Sequence, residues 1–155
     1  MLFYIWIRFE WQFSLGAVLA LIHDVIITIG IFSFFQIEFN LSIIAALLTI
    51  IGYSMNDTVV VYDRIRENLR KYKKQDLYDL INTSINQTLS RTVLTSFTTL
   101  LALFSLYFFG GQVIKGFTLA MIIGVFIGTY SSTFIASQLL QILGVKRDWS
   151  KNKEN

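Results

Sequence analysis

Four apolar stretches alternate with short polar links along the chain, at about residues 13–35, 41–62, 92–109 and 113–143. An α-helix needs ~20 residues to cross a hydrocarbon core of ~30 Å, so each stretch is predicted to span a membrane. The last is longer than the core requires and is expected to tilt or to project beyond it. A link around Gln36 to Asn40 joins the first two spans, and Gly110-Gly111 turns between the last two. Lipid offers the backbone no hydrogen-bond partners, so the expected fold is all-α, a bundle of four full transmembrane helices. Met1 to Ile7 is a short apolar run ending at Arg8, with no basic region before it and no small-residue cleavage site after it. It does not read as a signal peptide. It reads as a partial N-terminal helix, with residues 1–12 forming the end of that helix and a turn, or as a short interfacial anchor.

The region 63–91 has a different rhythm. Ile65, Leu69 and Tyr72, then Leu77, Ile81, Ile85 and Leu89, recur among charges every three to five residues. That spacing predicts two amphipathic helices broken near Lys74-Gln75, the second capped by Asp76, with a solvated charged loop as the alternative. Charge then sets direction. Arg64, Arg66, Arg70, Lys71, Lys73 and Lys74 lie in this loop, Lys146, Arg147, Lys151 and Lys153 in the tail 144–155, and Arg8 before the first span. Of basic residues, the two opposite links carry only Lys115. Positive charge is retained on the cytoplasmic side, which places the loop and the C-terminus there. Basic residues beside Tyr72 suit the anionic headgroups of membrane lipid.

Composition agrees with a membrane solvent. Of 155 residues, 54% are apolar and 15% aromatic, more than a soluble domain of this size can hide. With no cysteine, disulfides and thiolate metal sites are excluded, and with no proline the helices can run unbroken. A net charge of +3 is too small to imply nucleic acid as a partner. Asn-x-Ser/Thr triplets begin at Asn40, Asn56, Asn82 and Asn86, most of them in membrane or cytoplasm by this topology, and carry little weight as glycosylation sites. Nothing resembles a nucleophile triad, a metal cluster or a phosphate loop, so no enzymatic activity, cofactor or metal is expected.

Small residues mark where helices should meet. Gly116, Ala120, Gly124, Gly128, Ser132 and Ala136 fall every four residues in the last span and form one thin stripe. Such a stripe lets another backbone approach closely, which is how helices associate in lipid. Gly16 and Ala20 repeat the device in the first span, and Ala45, Thr49 and Gly52 in the second. Four residues on, the first stripe reaches Asp24, beside His23, and the second reaches Asn56, beside Asp57. An ionised Asp near the bilayer centre, as Asp24 is by position, costs roughly 2.5–3.5 kcal/mol on insertion scales, so it should face the bundle interior, be paired or be protonated. Asp57, roughly 9 Å to the cytoplasmic side of its span's centre, points with it to a polar interior or to neutral hydrogen-bonding glue. Asp24 and His23 read as a secondary proton relay, or as neutral hydrogen-bonding glue. Arg91 opens the third span, antiparallel to the second, in the same half of the membrane as Asp57. An Arg stays charged, so a carboxylate is its natural partner, and protonation of Asp57 would release the attraction. An Arg reaching the headgroups is the alternative.

Several runs resemble the SecF family of protein-export subunits. They are RFEW from Arg8, HDVIIT from His23, IGYSMNDTVVVYDRIREN from Ile51, NQTLSRTVLTS from Asn86, FFGG from Phe108 and GFTLAMIIGVFIGTYSS from Gly116. Asn56-Asp57-Thr58 stands where the sister subunit SecD carries Asp-Ala-Asn. The resemblance implies a multi-pass protein of the bacterial inner membrane with a resistance-nodulation-division fold. It implies coupling of the proton-motive force to movement of an exported, unfolded polypeptide. It also implies SecD, the SecYEG translocon, YajC and YidC as partners. The acid and arginine of the family's proton-responsive pair fall on Asp57 and Arg91, flanked by Asn56 and Thr58. The family pattern has six spans with an external domain between the first two. This sequence departs from it in lacking the first span, that domain and most of the second, the expectation for a fragment or a shortened form. A membrane scaffold that conducts nothing, a non-functional remnant, or a small-molecule exporter of the same superfamily are the competing readings; the last needs large external loops, which are short here.

Overall fold

The structure, a computed structural model, describes residues 11–72 and 75–145. The partial helix expected at Met1 to Ile7, Lys73-Lys74 and the tail from Lys146 lie outside the described residues. All regular structure among the described residues is helical: α1 (Trp11–Phe34), α2 (Leu41–Lys71), α3 (Leu77–Phe109), α4 (Gln112–Tyr130), a π-helical turn (Ser131–Ile135) and α5 (Ala136–Ile142). Four helices, the last being α4 to α5 taken together, are long and apolar enough to cross a membrane.

At 1.5 Å per residue the 24 residues of α1 extend about 36 Å, the 31 of α2 about 46 Å and the 33 of α3 about 50 Å. The last two overshoot a ~30 Å core. The reason is that the amphipathic stretches of 63–91 do not form separate helices among the described residues. They continue α2 to Lys71 and begin α3 at Leu77. No proline lies in either helix and no glycine between Tyr53 and Phe109, so the hydrogen-bond ladder carries straight through the change from apolar to charged sequence. Asp76 caps α3 as expected, accepting from Tyr78 N at 3.3 Å. Asn40 caps α2, its Oδ1 accepting from Ser42 N and Ile43 N at 3.1 and 3.2 Å. At the end of α1, Gln36 takes the left-handed conformation, and Ile37 N donates back to Phe32 O at 3.0 Å, closing the helix.

The helices run up and down. α2 and α4 are parallel and pack on each other most extensively, with α1 and α3 flanking them. Their contact is the small-residue stripe of the last span, and it advances in step along both helices. A methyl at Gly116 would reach Ser42, one at Gly124 would collide with the Ile50 side chain, and one at Gly128 would meet Ser54 Cβ at 3.1 Å. Ala120 and Ala136 are fully buried, and Ser132 is buried with them. The stripe expected on the second span behaves otherwise. Ala45, Thr49 and Gly52 are exposed in this chain, and Ala46, Ile50 and Ser54 face the core instead. Spacing alone does not choose between two stripes one residue apart.

Two apolar clusters fill the interior. Phe13, Ala17, Tyr62, Ile65, Leu69, Leu80 and Leu140 pack at the basic end. Phe32, Ile43, Ile50, Ala120, Met121 and Val125 pack toward the other. The outer surface carries Ile22, Ile26, Leu48, Val93, Leu94, Phe97, Leu101 and Phe126, all exposed. A belt of that kind is a liability in water and a match for lipid tails.

Candidate functional site

The site begins with the two acids that apolar sequence should not contain. Asp57 lies on α2 about 24 Å from its start at Leu41 and is 5% exposed. Its Oδ2 is buried without a hydrogen-bond partner among the described residues. Successive helical residues point about 100° apart, so the three neighbours diverge. Asn56 is exposed, Asp57 is buried, and Thr58 is buried with its hydroxyl donating to Ser54 O at 3.0 Å.

Arg91 lies on α3 and is exposed. It is the cation whose field reaches Asp57. The two make no ion pair within 4.0 Å. Arg91 instead lines a groove of about 380 Å³ between α2 and α3, together with Val59, Val60, Asp63, Arg64, Glu67, Gln87 and Thr88. Arg64 Nε donates to Gln87 Oε1 at 2.7 Å and its Nη1 to Glu67 at 2.6 Å. Behind this groove Asn68 Nδ2 donates to Ser84 Oγ and Gln87 Oε1, both at 2.8 Å, and stitches α2 to α3. Thr92, next to Arg91, is buried with its hydroxyl unpartnered among the described residues.

Asp24 is 1% exposed, near the middle of α1. Ser54 Oγ of α2 donates to its Oδ2 at 2.5 Å, and His23 Nδ1 lies 3.1 Å from its Oδ1. The structure therefore brings Asp24 and His23 together with a residue the sequence did not single out. Ser54 carried no signal of its own, since a serine in a span is ordinary. The same holds for Tyr62, fully buried, whose hydroxyl donates to Ala136 O at 3.0 Å. A further thread joins three helices, with Ser96 Oγ 2.7 Å from Thr129 Oγ1 and receiving a long 3.4 Å bond from Tyr53 Oη. Among the described residues no group of His, Cys, Asp and Glu is arranged to hold a metal ion.

A family model described as "Protein export membrane protein SecD/SecF, C-terminal" matches residues 1–146. The chain is 61% identical over 148 residues to a protein translocase subunit SecF from Cereibacter sphaeroides, covering 96% of this chain and 46% of that protein. Against the SecF subunit of Rickettsia bellii it is 57% identical over 144 residues, covering 93% of this chain and 48% of the other. The chain thus spans about half the length of the curated relatives it matches. A crystal structure of SecDF in a super-membrane-facing form superposes with a TM-score of 0.88 at 47% identity, covering 99% of this chain and 21% of that one. A crystal structure of the Thermus SecDF, described as a translocon-associated membrane protein, gives 0.87 at 50% identity, covering 92% of this chain and 20% of that one.

Proposed function

The chain belongs to the SecD/SecF family of protein-export membrane proteins, and on that premise we propose that it is the membrane part of a SecF-type subunit that couples a proton gradient to export of unfolded polypeptides. The observation that carries the reading is the buried carboxylate oxygen of Asp57, left without a bonding partner one helix away from Arg91. A charged group held inside a lipid-spanning bundle without full compensation is costly and marks an ion pathway. Each proton that crosses a 100 mV potential releases about 2.3 kcal/mol, enough to shift a helix pair whose attraction depends on the acid being charged. In this reading α2 and α3 are the moving pair, Asp57 is the proton acceptor, Arg91 senses its charge, and Thr58 and Asn56 flank it.

The protein lies in the bacterial inner membrane, with the α2–α3 turn and the C-terminus in the cytoplasm, as its basic residues favour. SecD is its partner, the two forming one bundle beside the SecYEG translocon, with YajC and YidC as further associates. The test is Asp57→Asn in the full-length subunit with SecD, reading preprotein export into membrane vesicles with and without a proton gradient. The gradient-dependent part of export is expected to disappear, and its survival would overturn the coupling.

One observation favours a second reading. Arg91 sits in a polar groove without touching Asp57, as an arginine anchored at the headgroups would. If Asp57→Asn leaves gradient-driven export intact, the bundle is a scaffold for SecD and the translocon.

A further inference from the structure

Asp24 is the most deeply buried acid among the described residues, and the mechanism above does not use it. It stands about 20 Å from the start of α1 and about 15 Å from its end, near the centre of a bilayer that the helix crosses. The Ser54 hydroxyl donates to its Oδ2 at 2.5 Å, and His23 Nδ1 faces its Oδ1 at 3.1 Å. The Thr28 hydroxyl donates to the Asp24 carbonyl at 2.7 Å and leaves the carboxyl alone. A hydroxyl donor and an imidazole thus meet the two oxygens of one carboxyl group inside the bundle.

We infer that His23, Asp24 and Ser54 form a second proton-binding site, separate from Asp57 and Arg91. The inference rests on the proton-coupled reading only for its purpose, since the site itself is geometric. His23 is its port. Its side chain is 35% exposed on the bundle surface, and its Nε2 makes no hydrogen bond among the described residues. Imidazole is the side chain that ordinarily exchanges protons near neutral pH. A proton taken up at Nε2 leaves Nδ1–H free to pass to Asp24 Oδ1, where the N–H bond breaks and an O–H bond forms. The neutral acid then keeps its place. With the proton on Oδ1, Oδ2 remains an acceptor and the Ser54 hydroxyl goes on donating to it. The α1–α2 bridge therefore survives in both states, and the site takes and returns a proton without parting the helices.

Its place in the bundle links it to the first site. Ser54 and Asp57 are three residues apart on α2, about 4.5 Å along the axis, and Thr58 donates to the Ser54 carbonyl. Against this level of α1, α2 presents Ser54 with Asp57 a turn away, and α4 presents Gly124 to Gly128, a stretch without a titratable side chain.

The test is infrared difference spectroscopy on the full-length subunit with SecD in lipid, following carboxylic-acid C=O bands that grow on acidification. Two bands are expected. Asp24→Asn should remove one and leave the other, and Asp57→Asn should do the converse. Ser54→Ala keeps the acid and removes its donor, so the Asp24 band should persist at a changed frequency; this variant also serves if Asp24→Asn fails to assemble. His23→Gln should slow the appearance of the Asp24 band after a pH jump while leaving the Asp57 band alone. A spectrum in which neither Asp24→Asn nor Ser54→Ala alters any band overturns the inference. Normal gradient-driven export in Asp57→Asn would sink the coupling reading and leave this site standing.

Discussion

The Tyr62 ring meets Phe13 edge-on at 5.3 Å, its hydroxyl donates to Ala136 O, and Gly16 leaves the room it occupies, since a methyl there would come within 2.5 Å of the phenolic oxygen. One side chain thus holds α1, α2 and α5. Tyr62→Phe keeps the ring and loses the bond, and is expected to lower stability by about 1 kcal/mol, the usual net value of one hydrogen bond. Gly16→Ala is expected to cost about 1–3 kcal/mol by overfilling the same space. Both are read from reversible unfolding of the full-length subunit in mixed micelles, and a Gly16→Ala protein as stable as the parent would contradict the packing. Gly16 was legible as a contact point from its spacing with Ala20, but Tyr62 as the side chain that fills the space was not, since nothing in the spacing says what a small residue makes room for. The burial of Asp24 and Asp57 was legible, because a charge inside an apolar run is costly wherever it points. Their partners were not. Ser54 and the divergence of Asn56 from Asp57 depend on helix rotation, which charge does not report.

Between helices, the close approach of α2 and α4 turns on where the glycines fall. Gly124→Ala is expected to destabilise by about 1–3 kcal/mol, because the new methyl runs into Ile50. Gly116→Ala meets only Ser42 Oγ at 4.0 Å and is expected to stay within about 0.5 kcal/mol of the parent. Combining Gly124→Ala with Ile50→Ala should recover part of the loss, a non-additive result that a double-mutant cycle detects. At this scale the sequence was informative about spans and about the last-span stripe, because length and four-residue spacing are properties of one helix. It misled about Ala45, Thr49 and Gly52, which form an equally good stripe and lie exposed. It also broke two long helices into four pieces, since a change from apolar to amphipathic pattern marks the edge of the membrane and not the end of a helix.

Across the whole molecule, α2 and α3 both outrun the ~30 Å that a bilayer core requires, and they lie against each other. Leu69 and Leu80 are buried in the same apolar cluster, and Asn68 bridges to Ser84 and Gln87. The topology has its own check. Reporter fusions at Lys73 are expected to be active in the cytoplasm and those at Gly111 outside it, and cytoplasmic activity at Gly111 would reverse the orientation. The up-down order of spans was readable from the apolar pattern, but the central pairing of two parallel helices, with α1 and α3 on either flank, was not.

The π-helical turn at Ser131–Ile135 acts on this architecture like a vernier. In an unbroken α-helix, Ala136 would stand eight residues past Gly128 and about 80° away around the axis. The wide turn absorbs one residue, so Ala136 returns to within about 20° of Gly128 and meets Tyr62. The last helix keeps its phase with α2 across the whole bilayer because of a single surplus residue. Deleting Thr133 should therefore be absorbed, leaving Leu140 in the core, whereas deleting Ile123 should swing every later side chain by about 100° and abolish assembly, a contrast that membrane expression levels of the two shortened proteins would display.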